Sequence, residues 1–187
     1  MRRITIAALL TAAACCPQST SFPSEPLGKN VVVRVAASSC NRFGARDFAR
    51  HLDVANRLLE PAGVVLSNGR EPVVSDRVPT EWEIGWRRFP ELDHAANEVP
   101  VALMIAIGDR NRKAVGGIAT RDRQGHQLIG ISMGDSRPSV LAHEIGHLAG
   151  LGHVDNERNV MSPRRWNRSS FDKDQLQKIR EWANECR

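Results

Sequence analysis

Apolar and polar positions along this chain switch between two periods, and the switches mark its elements. Val31-Val32-Val33-Arg34-Val35 is a β-branched run of strand character. Between residues 45 and 59, Phe48, Leu52, Ala55, Leu58 and Leu59 recur at helical spacing, and Pro61-Ala62-Gly63 stops the pattern. Val64-Val65-Leu66 predicts a second strand. Residues 68–99 are polar and irregular, with Trp82 and Trp86 expected to pack locally. Val101 to Ile107, bounded by Pro100 and Gly108, has strand length, and Val115–Thr120 and Leu128–Ser132 predict two more strands. Leu141, Ile145 and Leu148 form the apolar stripe of a helix, with Asp135 and Ser136 as N-cap chemistry and Pro138 in its first turn. Phe171 to Glu185 predicts a last helix capped by Ser169 or Ser170. The order strand, helix, four strands, helix, turn, helix gives an α+β fold with helices packed on a twisted sheet.

The N-terminus stands outside that pattern. Met1-Arg2-Arg3 followed by the apolar Ile4–Ala14 reads as a signal peptide over residues 1–14, too short to span a membrane as a mature helix. Cys15 and Cys16 follow Ala12-Ala13-Ala14 and resemble a bacterial lipoprotein signal with lipid on Cys15, although Ala12 stands where such signals usually carry Leu. Ordinary cleavage after Ala14 is the alternative, so the protein is expected to be exported: a periplasmic or cell-envelope lipoprotein attached to the membrane by that lipid, or freely secreted. Residues 15–29, rich in Pro and Ser, read as a flexible tether, and 30–187 as one domain, expected to be monomeric. The formal charge of +5 falls by two when Arg2 and Arg3 leave with the signal. The remaining basic residues are scattered, without the aromatic-interleaved patch of nucleic-acid modules, so no nucleic-acid partner is expected. Cys40 and Cys186 could pair in an oxidising compartment or remain free thiols.

The chemistry is concentrated in residues 143–153, His-Glu-Ile-Gly-His-Leu-Ala-Gly-Leu-Gly-His. On a helix, His143 and His147 project from one face, a turn apart. Gly150 can take the positive φ that ends the helix, letting the chain fold back to present His153. Three protein ligands with one position open describe a catalytic zinc rather than a structural one, and Glu144 stands beside the first ligand. With Met161 in Asn159-Val160-Met161-Ser162-Pro163, this run resembles the metzincin clan of zinc endopeptidases, and the short span from His153 to Met161 is most similar to matrixins.

The resemblance implies a metzincin-like catalytic domain: a twisted mixed five-stranded sheet, two packed helices and a small C-terminal subdomain with the final helix. It implies one catalytic Zn2+ on His143, His147 and His153, Glu144 as general base, and Met161 as an apolar floor beneath the imidazoles. The expected partner is a peptide or protein substrate lying along an edge strand that maps to Gly116, Gly117, Ile118 and Ala119. An ordinary bulged hairpin is the competing reading of those glycines. By the same resemblance, Ser162-Pro163-Arg164-Arg165-Trp166-Asn167-Arg168 walls the pocket for the residue after the cut bond. One inward-pointing member among Arg164, Arg165 and Arg168 would favour an acidic or polar residue there; with all three facing solvent, Trp166 or an apolar wall would select a hydrophobic residue. The chain departs from the family in two ways. It has no tyrosine to follow the Met-turn, and residues 109–135 offer no counterpart to the structural zinc and calcium ligands, His126 being the only histidine there. The rival functions are an exported zinc-binding lipoprotein and a cleft-binding interaction module, both without turnover.

Overall fold

The structure is a computed structural model that describes residues 30–83, 92–108, 114–121, 125–134, 137–164 and 168–186. The signal, the tether, Cys15, Asp135, Ser136, Trp86, Arg165 and Trp166 lie outside the described residues.

The strands are β1 (Val31–Ser39), β2 (Val64–Asn68), β3 (Val73–Val74), β4 (Glu81–Glu83), β5 (Glu98–Met104), β6 (Ala106–Gly108), β7 (Ala114–Val115), β8 (Gly117–Arg121) and β9 (Gln127–Ser132). The helices are α1 (Arg42–Leu59), α2 (Val140–Leu148) and α3 (Lys173–Glu185). Five strands form a mixed sheet in the order β2-β1-β5-β9-β8, with β3 paired to the end of β1. Every pair is parallel except β8 with β9, so β8 is an antiparallel edge. A second sheet has the order β4-β6-β7.

Two apolar clusters share the main sheet. One face buries Val33, Val35, Val101, Leu103, Ile129 and Ile131 against Phe48 and Ala55 of α1, Leu141 and Ile145 of α2, and Ile179 and Trp182 of α3. The other face gathers Ala102 and Met104 with Val78, Trp82, Leu92 and Ile107. Alternation along β5 sends neighbouring residues to opposite clusters, which is why that strand reads as a continuous apolar run. Among the described residues no helix is long and apolar enough to cross a membrane.

Several expected boundaries move, each for a local reason. Val101–Ile107 is two strands in two sheets, divided at the half-exposed Ile105. Pro100 lies inside β5 rather than before it. It pairs with Ala36 of β1, and β9 joins only from Val101 onward, so its missing N–H breaks no ladder shared by two neighbours. Val115–Thr120 is likewise divided at Gly116, where the chain passes from the small sheet to the large one. Residues 68–99, without visible periodicity, contribute β3 and β4, strands too short to leave one.

Helix ends differ in the same way. Asn41 caps α1 by accepting from the Gly44 N–H at 2.9 Å, so the helix begins at Arg42, three residues before the expected start. Pro138 precedes α2 instead of lying in its first turn, and the Val140 N–H is satisfied by the Arg137 carbonyl at 2.8 Å. Neither Ser169 nor Ser170 caps α3. Ser170 is held in a bridge whose carbonyl takes the Val160 N–H, and Asp172 forms a capping box with Gln175.

Cys40 and Cys186 are free thiols. Cys40 follows β1 and packs on the smaller cluster, whereas Cys186 ends α3 on the larger one. Cys186 lies near the start of β9, where the Trp182 Nε1–H donates to Gln127 at 2.7 Å. Cys40 is level with the strand's other end, about five residues or roughly 16 Å along the strands, and disulfide geometry does not bridge that distance.

His51 of α1 is almost fully buried, its Nδ1 has no hydrogen-bond partner among the described residues, and burial pulls its pKa below the ordinary value. Asp47 opposes that shift and Arg50 adds to it. The unfolded chain therefore takes up this proton more readily than the folded one. The stability concerned is complete above about pH 6.5 and is lost as pH falls below it. His51→Phe should become progressively more stable than the parent between pH 7 and pH 5, by at most about 1.4 kcal/mol per pH unit. Urea denaturation at several pH values checks this, and a difference independent of pH would refute it.

Candidate metal centre

His143 and His147 stand on α2, and their rings are set by the backbone around them. The Val160 and Leu151 carbonyls can only accept, so the contacts at 2.7 Å from His143 Nδ1 and 2.9 Å from His147 Nδ1 place the proton on Nδ1 of each ring. Their Nε2 lone pairs are thereby turned outward. Gly150, at φ 79°, ends the helix as expected and lets the chain return with His153.

The three Nε2 atoms converge at 3.1, 3.2 and 3.3 Å. Tetrahedral zinc with Zn–N of about 2.0–2.1 Å requires its nitrogens about 3.3–3.4 Å apart, so the spacing fits within a few tenths of an ångström. Two imidazoles whose only ring proton is on Nδ1 cannot hydrogen-bond to each other through Nε2, so a cation is the natural occupant. Burial pushes the His143 pKa down to about 3, helped by the charge of Arg168, and burial also lowers that of His147. Both rings are therefore in the neutral, ligating form at ordinary pH. Among the described residues this is the one group of three or more potential metal-ligating side chains. His126 has His94 as a neighbour, ring centroids 5.5 Å apart, but among the described residues no third ligand joins them.

Glu144 is 3% exposed and packs beneath the sheet edge. Burial pushes its pKa up to about 8, while Arg168 and a hydrogen bond from the Ala119 N–H act in the opposite direction. The fit is close. A Cβ added to Gly117 would lie 2.7 Å from Glu144 Oε1 and 2.9 Å from Val140 Cγ2. Gly116, Gly117, Ile118 and Ala119 all line the cleft, a cavity of about 410 Å³, together with His143, Glu144, His147 and His153. The edge-strand expectation thus places its residues at the site. Of the three arginines in the segment after Met161, Arg168 lines the cleft, Arg164 does not, and Arg165 lies outside the described residues. Arg164 is turned to the surface, paired with Glu157 and Asp155, and is absent from the cleft wall. Those two carboxylates are close enough in sequence and space to capture it. Arg168 and Arg137 line the cleft instead.

Met161 is fully buried below the cluster. Its N–H donates to Asn159 Oδ1 at 2.7 Å, and Asn159 Nδ2 donates to Gln175 Oε1 at 2.9 Å. The turn under the histidines is thus tied to the capping box of α3. Sequence reading missed Asn159, Gln175 and Arg137 as parts of the site, and had Arg168 only as one of three arginines in the segment after Met161. The Asp-x-x-Gln spacing of Asp172 and Gln175 was a readable signal for one of them.

The Met161 thioether fills the space above Gly146, so that a Cβ there would overlap Sδ. Neither partner has room to move, because both are in the packed interior. Gly146→Ala should therefore cost about 1–3 kcal/mol of stability even without metal. Gly152→Ala, whose added methyl meets open space, should be near neutral. Thermal melts of the metal-free variants check the contrast, and equal melting temperatures would remove the packing argument.

Known proteins can be set beside this geometry. No curated protein matches the chain in sequence. The crystal structure of metalloproteinase-II from Bacteroides fragilis superposes with a TM-score of 0.54 at 16% identity, covering 86% of this chain and 55% of that one. That likeness is one of fold, and this chain spans little more than half the length of its neighbour. The family model described as Matrixin matches residues 80–181, which include the cleft edge, the histidine cluster and the turn beneath it. With the match extending over more than half of the sequence, the chain belongs to the matrixin family.

Proposed function

We propose that the protein is a zinc-dependent endopeptidase. The observation that carries this reading is the convergence of three imidazole Nε2 atoms within 3.3 Å, with a buried carboxylate beside them at the foot of an exposed sheet edge. Zinc held by His143, His147 and His153 would lower the pKa of water from about 16 toward about 7 and polarise a carbonyl oxygen.

The chain's own residues supply the rest. Glu144, adjoining His143 and facing the cleft, receives the proton of the attacking water and delivers it to the leaving amine. A substrate backbone pairs along β8, which among the described residues has β9 on one side only. Gly117 lets that strand lie close against Glu144. Met161 packs under the imidazoles and does not meet the substrate.

Glu144→Gln should retain one zinc per chain and lower kcat on peptides by at least about 100-fold. His153→Ala should lose the metal, because only two protein ligands remain. Metal analysis and peptide turnover measured on the same preparations check both. A protein that binds zinc but cleaves no peptide would favour the lipoprotein or the interaction module.

Export is the second part of the proposal, with residues 1–14 removed and Cys15 lipid-modified. It rests on the charged and apolar pattern at the N-terminus. Mass spectrometry of the mature protein from its native membrane fraction should show an acylated Cys at the new N-terminus. An unmodified protein beginning at Cys15 would reject the lipid and keep the export. An intact residue 1 would reject both.

A further inference from the structure

Arg137 and Arg168 line the same cleft as Glu144, and we propose that this part of the cleft selects a carboxylate on the residue following the cleaved bond. The inference rests on the endopeptidase reading above and names its substrate class.

The position follows from the chemistry. The proton held by Glu144 goes to the leaving amine, which belongs to the residue after the cut, so that residue lies on the Glu144 side of the histidine cluster. Val140, one helical turn before Glu144, and Arg137 at the entry to α2 line the cavity there, with Pro163 and Arg168 from the segment after Met161. Arg168 is half-buried and held in place, its Nη2 donating to the Ser162 carbonyl at 2.6 Å. Its charge reaches the centre, acting on His143, Glu144 and His147 alike. Among the described residues that line the cavity, Glu144 is the only carboxylate. Arg164 pairs with Glu157 and Asp155 outside the cleft.

A planar guanidinium suits a carboxylate, and the apolar Val140 and Pro163 suit the methylenes of a glutamate stem. A substrate lysine in the same place would meet like charge. The carboxylate could come from an Asp or Glu side chain or from a substrate's free C-terminus, and peptides that end at this residue separate the two.

The test uses zinc-loaded protein and matched peptides with Glu, Gln, Leu or Lys after the scissile bond, plus a Gln pair ending there as free acid or amide. Glu should exceed Gln in kcat/KM by about 10- to 100-fold, the range of a charge-assisted hydrogen bond in a half-buried site, with Lys the poorest. A preference for the free acid over the amide would add the C-terminal carboxylate as a ligand. Arg168→Gln should bring the Glu-to-Gln ratio close to one, and Arg168→Glu should shift preference toward Lys. If the Arg168 variants do not fold, Arg137→Gln, at an exposed position, should still reduce the ratio.

A ratio near one in the parent protein overturns the proposal. So does an Arg168→Gln variant that slows every peptide equally while keeping the ratio, because Arg168 would then act through Glu144. Cleavage of the Leu and Gln peptides with no gain for Glu removes this inference alone. If no peptide is cleaved, the endopeptidase reading fails, and the affinity of Glu144→Gln protein for the Glu and Gln peptides decides the pocket independently of turnover.

Discussion

The hydrogen bond from His143 Nδ1 to the Val160 carbonyl joins the metal-binding helix to the turn that supports it. It sets the tautomer of one ligand, positions Met161 directly after Val160, and closes the site from below. Everything around it is arranged so that this bond can form. Gly146 leaves room for the Met161 thioether, Asn159 holds the turn, and Gln175 anchors Asn159 to the cap of α3. The final helix, packed through Ile179 and Trp182 into the main core, thus holds the floor of the metal centre.

Glu144 presents the opposite problem, a carboxylate where water is excluded. Burying such a group without partners would favour its neutral form by several kcal/mol. The Ala119 N–H and the Arg168 charge offset part of that penalty, and the two contributions come from opposite walls of the cleft. The strand that would pair with substrate and the segment that would select its side chain both act on the proposed base. Gly117 keeps the edge strand close enough for this: any side chain there would displace Glu144 or Val140.

The asymmetry of the two arginines beside the turn is a matter of neighbours rather than residue type. Arg164 has Asp155 and Glu157 within reach and turns outward. Arg168, four residues later, is held against the Ser162 carbonyl and faces the histidines. Composition shows the segment to be rich in arginine. Only folding assigns one of them to solvent and another to the cleft.

The parts of the protein legible in its sequence were those governed by local rules. Helical spacing placed His143 and His147 on one face of α2, and the positive φ available to Gly150 brought back His153. Period-two and period-3.6 patterns located β1, β2, β8, β9 and all three helices within a few residues. What depended on partners distant along the chain was not legible. The strands of the small sheet are two or three residues long and exist only because they pair with one another. The division of Val101–Ile107 between two sheets, the separation of Cys40 from Cys186 across the sheet, and the placement of Arg137 and Arg168 in one cavity are likewise long-range outcomes. A motif encodes its ligands through fixed offsets along one helix, whereas a pocket wall is assembled from segments whose distance in sequence carries no information about their distance in space.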